Sequence, residues 1–299
     1  MKKAHFAGIC GVGMGATAML LKQNGWEVTG SDAGCHPPMS DYLAHQKIDV
    51  AQNYDEANIT SSIELVVAGG NAKLKLGENV ELNKARELGI PVKTFPEILG
   101  EVTADTKNIL AVGSYGKSTC ATLLAWSLHH AGKDPSYFIG ALPIGLDTPG
   151  HRGTSDTFVL EGDEYPTSSI DPRPKFHHIR PHTVLLISAD HDHVNIYPTI
   201  ESYLKPFAEL LTTIPADGKI VACLDNQNVD TLIAPHLDKT ITYGLNAKND
   251  PLWSAQNIVR GKETIFDMTK DGSVICSITT SLLGDHNIQN ILGTGALLL

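Results

Sequence analysis

Short apolar runs alternate with amphipathic stretches through the first hundred residues of the chain. Ala4–Ile9 reads as a strand, Met14–Gln23 as a helix stopped at Asn24-Gly25, and Trp26–Thr29 as a second strand ending at Ser31-Asp32. Leu65–Ala68 follows as a strand, Val80–Leu88 as a helix ending at Gly89, and Val92–Phe95 as a short strand. Strands that alternate with helices predict a parallel sheet with covering helices. The polar stretch Glu101–Lys107 marks the expected boundary of this first region. Beyond it, strands are expected at Ile109–Val112, Thr157–Leu160, Thr183–Ser188 and Lys219–Cys223. Long loops separate them, notably the proline-rich stretch Pro166–Pro181. The segment from Gly284 opens a helix in which Leu299 falls without a C-terminal capping signal, as expected of a docked helix or a cut at a domain border.

A chain of 299 residues suits two domains of about 150 residues each. Hydrophobic content of 42% and charged content of 19% are ordinary for a globular protein. The net charge of −10 argues against a general nucleic-acid binder, because no basic stripe is available to displace counterions from phosphates. Five cysteines (10, 35, 120, 223, 276) lie scattered without a C-x-x-C pair, a pattern expected of reduced thiols in a cytoplasmic protein. Lys2 and Lys3 precede an apolar run, but its glycines make a strand and turn the better reading than a secretion signal. No apolar stretch is long enough to span a membrane.

The strand ending at Val112 runs into Gly113-Ser114-Tyr115-Gly116-Lys117-Ser118-Thr119, and an amphipathic segment, Cys120–His130, follows at once. Glycines let backbone N–H groups turn inward around phosphate oxygens, and the helix N-terminus adds partial positive charge. Lys117 is placed to reach the β- and γ-phosphates of a nucleotide, and the Ser118 hydroxyl to ligate Mg²⁺. The more widespread version of this loop begins with a glycine where this chain has Ala111, so this is the shorter form. The first strand ends in a second glycine turn, Gly8 to Gly15. Gly11, Gly13 and Ala16 satisfy G-x-G-x-x-G/A, and Asp32 ends the second strand. That pattern suits a pyrophosphate against Gly11, Val12, Gly13, Met14 and Gly15, with the Asp32 carboxylate on a ribose hydroxyl. Any nucleotide diphosphate, including a UDP-sugar, makes the same demand, and a tight turn with no ligand also fits. The expected fold class is therefore α/β, with a Rossmann-like domain over residues 1–104 and a P-loop-type α/β domain of mostly parallel sheet over 105–299.

Three further clusters carry chemistry. Glu161-Gly-Asp163-Glu164-Tyr165 follows a strand, and Glu161 is the best candidate to supply an oxygen to a phosphate-bound Mg²⁺. Asp163 and Glu164, each taken singly, read as solvated loop charges. Asp190-His191-Asp192-His193-Val-Asn195 follows the next strand. A second metal at the γ-phosphate with His193 as nitrogen ligand is favoured there. A zinc hydrolase using His191, His193 and an aspartate is the rival, although such an enzyme has no use for a phosphate loop. Asn287 and Asn290 share a helical face and suit an adenine edge, but taken alone they read as capping residues.

Together Gly113–Thr119, Glu161–Tyr165, Asp192-His193 and His286-Asn287 with Asn290 resemble the Mur ligase family, the ATP-dependent amide ligases of peptidoglycan assembly. Within it, Gly30-Ser-Asp-Ala33, Pro37-Pro-Met-Ser40, Gly70-Asn71-Ala72, Phe158–Tyr165 and Asp171-Pro-Arg173-Pro-Lys175-Phe176 resemble one branch most. That branch joins UDP-N-acetylmuramate to L-alanyl-γ-D-glutamyl-meso-diaminopimelate, the murein tripeptide, during cell-wall recycling. The resemblance implies a UDP-binding first domain and an ATP-binding central domain, with ATP and Mg²⁺ as cofactors. It implies catalytic roles for Lys117, Glu161 and His193, with Ser118, Glu161 and His193 as metal ligands. ATP contacts would come from Gly113, Ser114, Tyr115, Gly116, Lys117, Ser118, Thr119, Asn287 and Asn290. Contacts to the UDP-sugar would come from the first glycine turn, Asp32, Asn71 and Arg173, and Lys175 is a further candidate for substrate carboxylates.

Some positions depart from the family pattern. Tyr115 stands where the family loop has histidine, Asn195 where many members have aspartate, and Ala208 where several carry a carbamylated lysine. The family's third domain is expected to be missing, so the chain is expected to bind substrates without completing ligation. The alternatives are a UDP-N-acetylmuramate–L-alanine ligase, an NAD-dependent oxidoreductase built on the first glycine turn, and a non-catalytic UDP-sugar sensor.

Overall fold

The computed structural model describes residues 1–70, 74–168 and 171–299. They pack as two compact units. One comprises Met1–Thr106, Lys133–Phe158 and Tyr165–Ile179; the other comprises Lys107–Gly132, Val159–Glu164 and Arg180–Leu299. In the first unit, β1 (Lys3–Ala7), β2 (Glu27–Ser31), β3 (Asp49–Ala51), β4 (Leu65–Ala68) and β5 (Val92–Thr94) form a parallel sheet in the order β3-β2-β1-β4-β5. Helices α1 (Val12–Gln23), α2 (Met39–His45), α3 (Val80–Glu87) and α4 (Phe95–Val102) accompany it. Successive strand residues point to opposite faces, so each face gathers its own core. Ala4, Phe6, Leu65 and Val67 pack with Ile9 and Leu43, while Ala7, Val66 and Ala68 pack with Leu82 and Ala85.

The chain enters the second unit through β6 (Lys107–Val112) and α5 (Lys117–His130). It returns to the first for the antiparallel pair β7 (Ser136–Phe138) and β8 (Gly150–His151). Next come β9 (Thr157–Glu161), β10 (Thr183–Leu186), α6 (Ile200–Thr212), β11 (Lys219–Cys223), α7 (Gln227–Ile233) and β12 (Thr240–Tyr243). Three long strands, β13 (Trp253–Arg260), β14 (Thr264–Lys270) and β15 (Ser273–Thr280), precede α8 (Asp285–Leu298). Within the ten-stranded sheet that ends in β7 and β8, the strands of this unit run in the order β15-β14-β13-β12-β11-β10-β6-β9. The pairs from β6 through β10 and β11 to β12 are parallel, and β13 to β15 form an antiparallel meander.

The parallel core matches the sequence reading, and several elements go beyond it. The meander was not foreseen because β15 is exposed at most of its positions, so it lacks a buried apolar run. Helix α4 was read as the end of a strand and a polar boundary. Its signal was present in Thr94-Phe-Pro-Glu97: Thr94 N–H and Oγ1 both donate to Glu97 Oε2 at 2.7 and 2.8 Å, a capping box with proline just inside the helix.

The cysteine expectation is corrected. Cys10 and Cys35 form a disulfide across 25 residues, with Cα atoms 5.3 Å apart, while Cys120, Cys223 and Cys276 are free thiols. Linear spacing hid the pair. Parallel pairing of β1 with β2 brings the turn after one strand beside the loop after the other. Closing a loop of that length restricts the unfolded chain by about 3 kcal/mol. Reduction, or Cys35→Ser, is expected to lower unfolding stability by roughly that amount, and peptide mapping without reductant should recover one Cys10–Cys35 cross-link.

Glu81, in the first turn of α3, is fully buried beneath β1 and β2. Ser31 Oγ donates to its Oε2 at 2.6 Å, Asn58 Nδ2 donates to its Oε1 at 2.7 Å, and His5 Nε2 lies 3.5 Å away. Burial pushes this carboxyl upward, but hydrogen bonds from His5, Ser31 and Asn58 together outweigh it and hold it below the ordinary carboxylate range. A carboxylate held low stabilises the fold above its ordinary range near 4.5, and that contribution is lost as pH falls through the lowered value. Glu81→Gln is expected to cost about 1–3 kcal/mol at neutral pH. It should also flatten the acid limb of a plot of melting temperature against pH.

Candidate functional site

In the second unit, three segments far apart in sequence meet because the strands before them are neighbours. The ends of β9, β6 and β10 carry residues 161–164, 113–119 and 187–193, and these strands are adjacent in the sheet order. Ligands of open α/β sheets bind beyond such carboxyl ends. Gly113 has φ +143, and a Cβ there would lie 2.8 Å from both the N and O atoms of Ser188. Gly116, φ +81, sets the left-handed cap of α5, and a Cβ there would lie 2.7 Å from Asn290 Oδ1. Side chains and backbone of the β10 segment fix the rest of the loop. Ser188 Oγ accepts from Tyr115 N–H at 3.0 Å, Ser114 Oγ donates to Asp190 O, and Tyr203 OH donates to Ser114 Oγ at 2.9 Å.

The chemistry-bearing side chains line this loop. Lys117 Nζ donates to Gly113 O at 2.7 Å and to Glu164 Oε1 at 3.1 Å. Ser118 Oγ donates to Glu161 Oε1 at 2.9 Å. His193 Nε2 is 3.2 Å from Glu164 Oε1, and its backbone has φ +51, held by a 2.6 Å bond from its N–H to Asp192 Oδ1. Thus Lys117, Ser118, Glu161 and His193, expected from sequence, do come together. Thr119 belongs to the first turn of α5.

Glu164 is the residue that sequence reasoning missed. It is not a solvated loop charge but fully buried. Its Oε2 lies 3.0 Å from Lys117 Nζ yet accepts no aligned hydrogen bond, and its backbone O accepts from Tyr197 OH at 2.6 Å. Burial raises the Glu164 carboxyl, and the Lys117 ammonium pulls it the other way. Burial likewise pushes Tyr197 up to about 12, which keeps it a proton donor to that carbonyl. The usable signal was Tyr197, an aromatic donor after β10 whose partner had to be a buried acceptor.

Other residues take roles different from those expected. His191 donates its Nε2–H to Tyr197 O at 2.7 Å, and Asp190 Oδ1 accepts from Asn226 at 2.8 Å, so both serve the loop itself. Asn290 is buried against Gly116 and donates to Asn287 Oδ1 at 3.3 Å, while Asn287 donates to Leu283 O. The capping residue of α8 is Gly284, so the capping reading of the two asparagines is corrected. Asn290 stands instead at a cavity of 400 Å³ lined also by Tyr115, Gly116, Ser188, Asp225 and Asn226. Tyr115 is 60% exposed there. Ala208 and Lys205 lie on the exposed face of α6.

In the first unit, the glycine turn follows β1, the strand flanked by β2 and β4 where the sheet order reverses. Helix α1 starts at Val12 behind Gly11 with no side-chain cap, so its first N–H groups lack intrahelical acceptors. Gly13 has room for no side chain, since a Cβ would sit 3.2 Å from the Phe95 ring. Met14 and Gly15 are buried, and a Cβ at Gly15 would overlap Met39. Asp32 accepts from Cys10 N–H and Gly34 N–H, both at 3.0 Å, and so ties the turn to the loop after β2. Arg173, expected at a substrate, makes a two-pronged pair with Asp171 at 2.9 and 2.6 Å. Lys175 Nζ stands 5.7 Å from the Phe95 ring centre and 5.4 Å from that of Tyr165. Asn71 lies outside the described residues.

Gly113→Ala combines a disfavoured φ with contacts no Cβ tolerates. It is expected to cost about 2–4 kcal/mol and to distort the loop, measured by thermal unfolding and by loss of nucleotide binding.

The chain is similar to known proteins along its whole length. The Mur ligase middle domain family matches residues 112–298, and the Mur ligase family, catalytic domain, matches residues 3–107. The UDP-N-acetylmuramate–L-alanyl-γ-D-glutamyl-meso-2,6-diaminoheptandioate ligase of Escherichia coli is 33% identical over 294 residues, 96% of this chain and 62% of that protein. The UDP-N-acetylmuramate–L-alanine ligase of Acetivibrio thermocellus is 31% identical, over 98% of this chain and 60% of that protein. The chain therefore spans about six-tenths of the length of these curated relatives. The crystal structure of the UDP-N-acetylmuramate:L-alanyl-γ-D-glutamyl-meso-diaminopimelate ligase from Neisseria meningitides superposes with a TM-score of 0.87 at 30% identity, covering 100% of this chain and 93% of that one.

Proposed function

The chain belongs to the Mur ligase family, and from that membership we propose that it carries the UDP-sugar and ATP sites of a carbon–nitrogen ligase. The ligase joins UDP-N-acetylmuramate to L-alanyl-γ-D-glutamyl-meso-diaminopimelate in peptidoglycan recycling, in the cytoplasm. The observation that carries this reading is the meeting of Lys117, Ser118, Glu161 and His193 at three neighbouring strand ends, beside a cavity lined by Tyr115 and Asn290.

In the proposed reaction, the muramate carboxylate attacks the γ-phosphorus of ATP. An O–P bond forms, the bridging bond to the β-phosphate breaks, and ADP leaves. The incoming amine then attacks the acyl carbon, loses its proton, and expels inorganic phosphate. Such transfer depends on positioning and charge neutralisation more than on covalent help from the protein. The Lys117 ammonium faces the β- and γ-phosphates, and the turn N–H groups after Gly113 face their oxygens. Ser118 and Glu161 are hard oxygen donors 2.9 Å apart and fit Mg²⁺, with His193 as a nitrogen ligand nearby. A Mg²⁺ ion held there would neutralise phosphate charge. In the first unit, the open N–H groups of α1 receive the UDP pyrophosphate. L-Alanine as the amine acceptor is the second reading, supported by the similarity to L-alanine ligases.

Calorimetric titration tests the proposal. UDP-N-acetylmuramate and Mg-ATP should each saturate with Kd of about 1–100 μM, and NAD should give no heat. Lys117→Met should abolish the Mg-ATP signal and leave the UDP-sugar signal intact. Binding of NAD in place of the UDP-sugar would reassign the glycine turn to redox chemistry.

A further inference from the structure

Glu164 is a fully buried carboxylate that the proposed reaction does not use, and it touches two groups that the reaction does use. Its Oε1 accepts from Lys117 Nζ at 3.1 Å and lies 3.2 Å from His193 Nε2. Lys117 and His193 come from the ends of different strands, β6 and β10, and Glu164 from the segment after a third, β9. One oxygen thus holds together two groups that no shared element would otherwise align. The residue that carries it is fully buried, and its backbone O accepts from the buried Tyr197 OH at 2.6 Å. Lys117 has long stem torsions to restrain, and its backbone acceptors, Gly113 O at 2.7 Å and Ser114 O at 3.4 Å, belong to the loop and move with it.

We propose that Glu164 is a positioning residue of the phosphate site, fixing the Lys117 ammonium and the His193 imidazole relative to one another without itself touching the nucleotide. The proposal rests on the ATP-site reading given above. The physical logic is that of a lysine that must be aimed at phosphates before they arrive: an ammonium tethered to a fixed carboxylate searches fewer rotamers, so less ordering is left for the binding step. Protein kinases use a lysine–glutamate ion pair to the same end on an unrelated scaffold. A charge placed only for folding gives a different signature, because its removal would be felt equally whether or not Lys117 is present.

A double-mutant cycle separates the two roles. Mg-ATP is titrated into the wild-type chain, Glu164→Gln, Lys117→Gln and the double variant, and each variant's fold is checked by thermal unfolding. Lys117→Gln keeps a polar head in place of the ammonium, so weakened binding remains measurable at high nucleotide concentration. Glu164→Gln is expected to weaken Mg-ATP by about tenfold or more in the wild-type background and by less than about threefold when Lys117 is already replaced. UDP-N-acetylmuramate affinity should be unchanged throughout. Equal weakening in both backgrounds would overturn the proposal and indicate that Glu164 acts on its own, as a direct ligand of metal or nucleotide. Unchanged or tighter Mg-ATP binding by Glu164→Gln would overturn it as well. If Glu164→Gln does not fold, Glu164→Asp keeps the charge and draws the carboxylate back by one methylene. It should then weaken Mg-ATP at least about fivefold, and wild-type affinity would refute the proposal. Failure of the wild-type chain itself to bind Mg-ATP overturns the ATP-site reading and this proposal together, an outcome distinct from all the others.

Discussion

The loop from Gly113 to Thr119 is held by close approach that admits no side chain at its two glycines. Gly113 lies against the backbone of Ser188, and Gly116 lies against the buried amide of Asn290. Both glycines adopt positive φ that other residues rarely accept. Every other feature of the second unit's site follows from that contact. With the loop pressed onto the end of β10, Tyr115 N–H finds Ser188 Oγ and Ser114 finds Asp190 O. With its far end pressed onto α8, Asn290 reaches the cavity beside Tyr115. Lys117 then emerges at the start of α5, directed back across its own loop.

Much of the site was legible in the sequence. The glycine spacing, Lys117, Ser118, Glu161 and His193 announce themselves by residue type after an apolar strand, since a phosphate makes few alternative demands. What remained hidden depends on burial, which sequence does not display. Glu164 sits among acids in a polar stretch, and nothing local distinguishes a solvated glutamate from a buried one paired with a lysine 47 residues away. Asp32 and Arg173 illustrate the reverse. Their residue types suit a ligand, and sequence did not display the contacts they make within the fold, Asp32 with Cys10 and Gly34 N–H groups and Arg173 with Asp171.

The fold was legible where longer strands of the parallel sheets are buried on both faces, although the short buried β7 was not found. Parallel strands such as β6 and β10 are near-continuous apolar runs, and the reading found them with boundaries shifted by one or two residues. The antiparallel β13–β15 meander is half solvated, with Val259, Ile265 and Val274 exposed, so its alternation resembles ordinary surface. Cys10 and Cys35 went unpaired in the reading for a related reason. The contact between them is made by strand register rather than by any local motif.

Neither unit is a continuous stretch of chain. The first is completed only by Lys133–Phe158 and Tyr165–Ile179, after the phosphate-loop strand has already passed into the second. During synthesis, all five strands of the early sheet are delivered by Thr94, while the unit built on it waits for residues up to Ile179. By then β6, α5 and β9 are already outside the tunnel and lack β10 as a neighbour. The first unit is therefore completed only after much of the second has been made, and a nascent chain stalled between them carries a finished first sheet beside an unfinished second one.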